Sequence, residues 1–231
     1  MGTKKYRLTG NHINIGNRIL YQIEALKDFG DVKAGDLGGY IESKENLSQY
    51  DNAWVYGDAQ VLGNAQVFDN ARVYGNACVF DNARVYGNAC VFGNAQVFDN
   101  ARVYGNACVF DNARVYGNAC VFDNAEVYGN ALVYDNAQVF GNARVFGDAQ
   151  IKSARDYIVF KNWWSSGRYF TWTRSNNMWK VGCFYGTGEE LIKKAYNDSE
   201  ISGREYERIV RYVESILADE KRKENEPIGI K

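Results

Sequence analysis

Residues 69–92 read DNARVYGNACVFDNARVYGNACVF, four six-residue units in a row, and the same string returns at residues 99–122. Both lie inside an unbroken run from Val55 to Gln150, in which the unit is hydrophobic, aromatic, Gly/Asp, Asn, Ala, variable, with Leu62 at position two and Asp58 and Asp148 at position four as the exceptions. A fixed short period marks a repeat architecture. Six residues are too few for a helical hairpin or a propeller blade, but they fit one short strand plus one corner. In Ala71-Arg72-Val73-Tyr74, strand alternation sends Ala71 and Val73 to one side and Arg72 and Tyr74 to the other. Gly75-Asn76 then supplies the corner, since Gly, and Asn less freely, accepts left-handed backbone. Position one is Val and position five is Ala, as a narrow interior requires. Positions two and six vary, as an exterior allows. The expected body is a prism with a Val/Ala core, each strand stacked on the next coil at about 4.8 Å.

Composition mostly excludes. The net charge is −1, so no global basic field draws in nucleic acid. The repeat block is acid-rich and the residues after 150 mildly basic. No run of eighteen apolar residues suggests a membrane span. The N-terminal sequence lacks the apolar core of a secretory signal, and Tyr6 stands where a myristoylation motif needs Ser or Thr. Cys78, Cys90, Cys108, Cys120 and Cys183 are odd in number and lack CxxC spacing, which argues against a disulfide framework or a zinc site. These readings predict a cytoplasmic chain with free thiols, no metal site and no membrane contact. The single proline, Pro227, suits a continuous sheet.

The V-x-x-N-A-x unit resembles the hexapeptide motif of the left-handed parallel β-helix superfamily, in which three hexads make one triangular coil. The resemblance covers residues 37–151 and implies a mainly β fold, with the β-helix over that span; the flanking residues read as an N-terminal β cap at 1–36 and a small C-terminal α+β capping domain at 152–231. Many members of that superfamily are acyltransferases with a coil histidine as general base, and some are carbonic anhydrases with three histidines on zinc. Ice-binding β-helices carry threonine ladders. This chain has one histidine, His12, outside the repeats, and no threonine within them. His12 reads as a polar turn residue, so no catalytic residue and no cofactor is assigned. Position two also departs from the superfamily, being aromatic where small or polar residues are usual.

With eighteen residues per coil, position two forms three outward aromatic columns. Candidate partner-binding residues are Tyr74, Phe80, Tyr86, Phe98, Tyr104, Phe110 and Tyr116, with Arg84 and Arg102 beside them. Stacked rings stabilise coil-on-coil contacts. Three bare columns would nevertheless expose more apolar surface than a monomer tolerates, so at least one is expected to meet another subunit, a folded-back tail or a partner. Aspartates at position three mostly lie over glycines one coil away. Asp81 over Asp99 is the exception, as a solvated pair rather than a calcium site. Cys90 should sit one coil from Cys108.

The flanks carry weaker signals. Strand-like runs at 4–9 and 18–26 precede the first coil. After residue 151, three strands are expected at 156–161, 169–174 and 178–184. Two helices follow, with capping boxes at Thr187/Glu190 and Ser202/Glu205. The second helix carries the stripe Tyr206, Ile209, Val210, Val213, Ile216 and Leu217, and the residues from 219 onward are charged and expected to fray. Arg155, Trp163, Trp164, Arg168, Trp172, Arg174, Trp179 and Lys180 form a weaker ligand-binding candidate, since interleaved aromatics and bases can hold nucleotides. The stretches Lys4-Lys-Tyr-Arg-Leu8, Gly35-Asp-Leu-Gly-Gly39 and Gly182-Cys-Phe-Tyr-Gly-Thr-Gly-Glu-Glu190 resemble uncharacterised bacterial and phage hexapeptide-repeat proteins, which bring no activity with them. The expected function is a non-enzymatic interaction scaffold, phage- or prophage-encoded, dimeric or trimeric, that binds and blocks a host defence protein. The rivals are a divergent acyltransferase with an inter-subunit site, and a nucleotide- or nucleic-acid-binding module using the Trp/Arg cluster.

Overall fold

The computed structural model describes residues 4–225, so Pro227 lies outside the described residues. By contact density the chain forms two compact units, Met1–Val159 with Thr173–Asn176, and Phe160–Trp172 with Asn177–Lys231.

The first unit is a parallel β-solenoid of about six turns. Each hexad contributes a two-residue strand, such as Arg72–Val73 or Cys78–Val79, and consecutive hexads go to different faces. Three parallel sheets result. The first face stacks Gln60–Val61, Cys78–Val79, Gln96–Val97, Arg114–Val115, Leu132–Val133 and Gln150–Ile151. The second runs from Trp54–Val55 to Arg144–Val145, and the third from Gln66–Val67 to Gln138–Val139. The register is eighteen residues throughout: Val73 pairs with Val91, Val79 with Val97, and Val85 with Val103. Inside, every repeat Val and Ala from Ala53 to Ala149 is essentially fully buried. Their uniform size lets each coil repeat the previous one at interior packing density.

The corners fall at positions three and four as expected, and the structure shows that the left-handed residue is position three, whether Gly or Asp. Gly75, Gly87 and Gly105 have φ of 72°, 70° and 72°, and Asp69, Asp81, Asp99, Asp111, Asp123 and Asp135 sit at 55–59°. Asp is among the few residues with a side chain that accept this region. The Asn at position four instead forms a vertical ladder: Asn82 Nδ2 donates to Asn100 Oδ1, and Asn100 Nδ2 to Asn118 Oδ1, both at 3.2 Å.

At the N-terminal end, β1 (Tyr6–Ile15) and β2 (Arg18–Ala25) make an antiparallel hairpin. β1 runs well past the expected Thr9. β3 (Leu37–Ile41) joins the two architectures, pairing antiparallel with β2 and parallel with Gln60–Val61. The prism end is plugged by Tyr6, Phe29 and Trp54, packed edge to face. Lys5 is buried among them. Its ammonium donates to the carbonyls of Tyr50 at 3.0 Å and Ala53 at 2.8 Å. Asn46, also buried, donates to the carbonyls of Gly63 and Ala65, occupying acceptors of the second coil. At the other end of this unit, the Tyr157 hydroxyl donates to the Gln138 carbonyl and accepts from the Phe140 amide, and Gln150 N–H donates to Ser175 Oγ.

The second unit holds the helices and most of a four-stranded sheet in the order Tyr157–Lys161, Tyr169–Thr173, Met178–Val181, Phe184–Gly186. The expected single strand at 178–184 is two antiparallel strands turned at Gly182, whose φ is 55°. α1 (Gly188–Asp198) starts at the Thr187/Glu190 capping box. α2 (Glu200–Asn225) starts two residues before Ser202, so the second proposed box lies within the helix, and Ser199 Oγ accepts the Ser202 amide at 3.1 Å. α2 also continues through 219–225, where fraying was expected, and residues 226–231 lie outside the described residues. Tyr206, Val210 and Val213 form its buried stripe.

Candidate interaction surface

The three aromatic columns exist. Tyr74, Phe92 and Phe110 stack on one edge at 4.8 and 4.7 Å between centroids. Phe80, Phe98 and Tyr116 stack on another at 4.8 and 4.9 Å. Tyr86 and Tyr104 continue the third at 5.0 Å, and ring planes in all these pairs agree within 4°. The spacing follows directly from the rise of one coil, because identical backbones place each ring over the last. This stacking hides the ring faces, so most columnar rings are half-buried and only Phe140 among them reaches 44% exposure. The apolar exposure expected of three bare columns is therefore largely removed by the columns themselves. Burial raises the hydroxyl pKa of Tyr74, Tyr104 and Tyr116, so these phenols stay neutral donors.

Position six stands outward between these columns. On the third face, Arg84 is the register partner of Arg102, and Tyr86 and Tyr104 follow two residues along each strand. On the second face, Cys90 pairs with Cys108, below Arg72 and above Glu126. All five cysteines are free. The Cys108 thiol and, less strongly, Arg72 hold Cys90 down at about 7, while its proton-sharing partner Cys108 is pushed up. No described His/Cys/Asp/Glu cluster has metal-binding geometry, and Asp81 and Asp99 line a 710 Å³ groove with Glu42, Arg18 and four ladder asparagines.

The aspartates have a role that sequence spacing did not reveal. Asp69, Asp99, Asp111 and Asp123 each accept the backbone N–H of the glycine one coil on, at 3.0–3.2 Å. The Asp-over-Gly alternation is thus a hydrogen bond as well as an avoidance of like charge. Glu42 does the same for Gly63 at 2.7 Å.

The other candidates are dispersed. His12 lies on the exposed β1 hairpin opposite Tyr21, with Nδ1 3.2 Å from the Gly10 carbonyl oxygen. Arg155 and Arg174 belong to the first unit, where Arg174 Nε donates to the Arg155 carbonyl. Trp163, Trp164, Arg168, Trp172, Trp179 and Lys180 belong to the second. There Trp172 and Trp179 are buried, and Trp172 Nε1 donates to Asn177. Trp164 packs edge-on against Tyr206 and Phe170, and its Nε1 is buried without a hydrogen-bond partner. Trp163 alone of these four rings is exposed, at 72%. Within the second unit, therefore, the tryptophans do not present a shared exposed face.

The fold and its ladders define a hexapeptide-repeat β-solenoid protein. The model of the YdcK β-solenoid repeat matches residues 65–80, 83–97, 95–110 and 137–152. The chain is also similar to a protein described as the uncharacterised acetyltransferase YdcK of Escherichia coli (strain K12). The two are 48% identical over 40 residues, which is 17% of this chain and 12% of that relative, so the match spans only a small part of the relative's length.

Proposed function

We propose that this chain is a non-enzymatic, rigid interaction scaffold, itself a dimer or trimer, whose third face meets a protein partner. The observation that carries the reading is the outward patch of Arg84, Arg102, Tyr86 and Tyr104, held in register by the coils beneath. Rigid aromatics lose little conformational entropy on binding, and Tyr and Arg dominate interface energetics. In its narrower form, the chain is phage- or prophage-encoded and the partner is a host defence protein. Replacing Tyr86 and Tyr104 together by Ser is expected to change the oligomer mass by light scattering or abolish partner capture. Unchanged mass with unchanged capture would overturn the reading.

A second reading, favoured by the relative's name, is an acetyltransferase with its site between protomers. Acetyl-CoA binding to the wild-type chain, with turnover lost in His12→Ala, would support it. Absence of acetyl-CoA binding would remove it.

A further inference from the structure

The coils carry five arginines, all at position six: Arg72, Arg84, Arg102, Arg114 and Arg144. Three have a neighbour that answers the guanidinium. Arg72 reaches Asp31 at 3.8 Å, and Arg144 reaches Glu126 at 3.2 Å. Arg114 donates to Gln96 at 3.0 Å and lies over the Phe98 ring. Arg84 and Arg102 are different. They are direct cross-strand neighbours on adjacent coils, and neither has a side-chain hydrogen bond or ion pair among the described residues. Like charges placed directly opposite in a sheet destabilise it. The pair is therefore a local excess of positive charge that the fold itself does not neutralise.

The surroundings are shaped to match. A groove of about 290 Å³ is lined by Arg84, Arg102, Asn82, Asn100 and Asn118, with no acid in its wall. The acids of this corner line the adjoining 710 Å³ groove, across the asparagine column. There Glu42 is held by Arg18 and the Gly63 amide, and Asp99 by the Gly117 amide, leaving Asp81. Each ladder amide uses one N–H on its neighbour and keeps a second for a ligand.

We propose that Arg84, Arg102 and the Asn82–Asn100–Asn118 column form a binding site for a phosphomonoester. Two guanidinium groups carry two positive charges. A phosphomonoester carries about −1.5 to −2 near neutrality and meets the guanidinium fork with paired oxygens, whereas one carboxylate leaves half the charge unanswered. This inference goes beyond the docking reading and does not depend on it.

The test uses the purified chain with inorganic phosphate and O-phosphoserine as probes and acetate as the monoanion control, read by NMR of the arginine Nε–H signals. Saturable binding of both phosphates is expected, at least about tenfold tighter than acetate and stronger above the second phosphate pKa near 6 than below it. Arg84→Gln and Arg102→Gln should each weaken it about tenfold, and Arg114→Gln should not. Gln already occupies this position at Gln66, Gln96 and Gln138, so the variants retain a residue the coil accepts. Phosphoserine binding without inorganic phosphate binding would also count for the site, placing its source on a larger phosphorylated group. Linear shifts without saturation, acetate equal to phosphate, or an Arg84→Gln/Arg102→Gln double variant binding like wild type would overturn the proposal. Because no partner protein is present, any of these failures leaves the docking reading standing.

Discussion

The corners offer a controlled comparison between two glycines of nearly equal backbone. Gly105 has φ of 72° and Gly141 has φ of 68°. A Cβ added at Gly141 would meet nothing within 4 Å. At Gly105 it would lie 2.9 Å from the Asp123 amide nitrogen and 3.1 Å from its carbonyl oxygen, both backbone atoms of the next coil. Gly→Ala at either site incurs left-handed strain of about 1–2 kcal/mol. That is offset by roughly 0.4–1 kcal/mol from the less flexible unfolded chain. Gly141→Ala should therefore lose about 1 kcal/mol. Gly105→Ala should lose a further ~1–3 kcal/mol, the usual range for forcing atoms into a packed interior.

Guanidinium unfolding followed by far-UV circular dichroism would measure the difference. The midpoints are comparable only if the slopes agree, because repeat arrays can unfold in segments. A gap of about 2 kcal/mol between the variants is expected. Equal losses would refute the reasoning, since they would mean that neighbouring corners separate easily and that only the torsion requires glycine at position three.

Three further outcomes follow from the same geometry. Asp111→Gly keeps a residue suited to left-handed backbone but loses the bond to the Gly129 amide, so it should cost about 1 kcal/mol, and Asp111→Ala, which also strains the corner, about 2, by the same unfolding assay. Burial holds Lys5 at about 8, below its ordinary 10.5, so between these values the unfolded chain binds more protons than the folded one. Stability should therefore rise with pH across that window, and Lys5→Met should flatten the rise in denaturant midpoints. Cys90 and Cys108 titrate as a pair whose first proton leaves at about 7, so iodoacetamide followed by peptide mass mapping should modify this pair before Cys78, whose thiol burial raises; preferential labelling of Cys78 would contradict the assignment.

The fold was legible because each inside position has one occupant. Val and Ala recur without substitution, and only a coil of constant cross-section uses such a pattern. The aromatic columns and the Cys90–Cys108 pairing followed from counting eighteen residues. The corner chemistry was harder to read. Asn and Asp both accept left-handed backbone, and their identities alone do not say which takes the torsion and which forms the ladder. The β1 extension and the reversal at Gly182 were missed for a related reason, since His12 is in a strand through its pairing with Tyr21, and the turn at Gly182 is set by the pairing of Val181 with Phe184, not by local preference.

The most consequential juxtaposition on the third face hides in arithmetic. The two 24-residue copies are offset by thirty residues, which is not a multiple of eighteen. Each copied residue therefore lands on a different face from its original. Arg72 and Arg102 are copies of one another, yet Arg72 stands beside Asp31 and above Cys90, while Arg102 stands below Arg84. Identical sequence thus acquires different neighbours. The uncompensated arginine pair is a consequence of where the copies fall, invisible in either copy alone. It also means that the surface of this solenoid is specified by spacing between repeats, so inserting or deleting one hexad between the copies would separate Arg84 from Arg102 while leaving every Val and Ala inside. The interior is indifferent to such a shift and the exterior is not, which is why the outside positions carry the functional proposals.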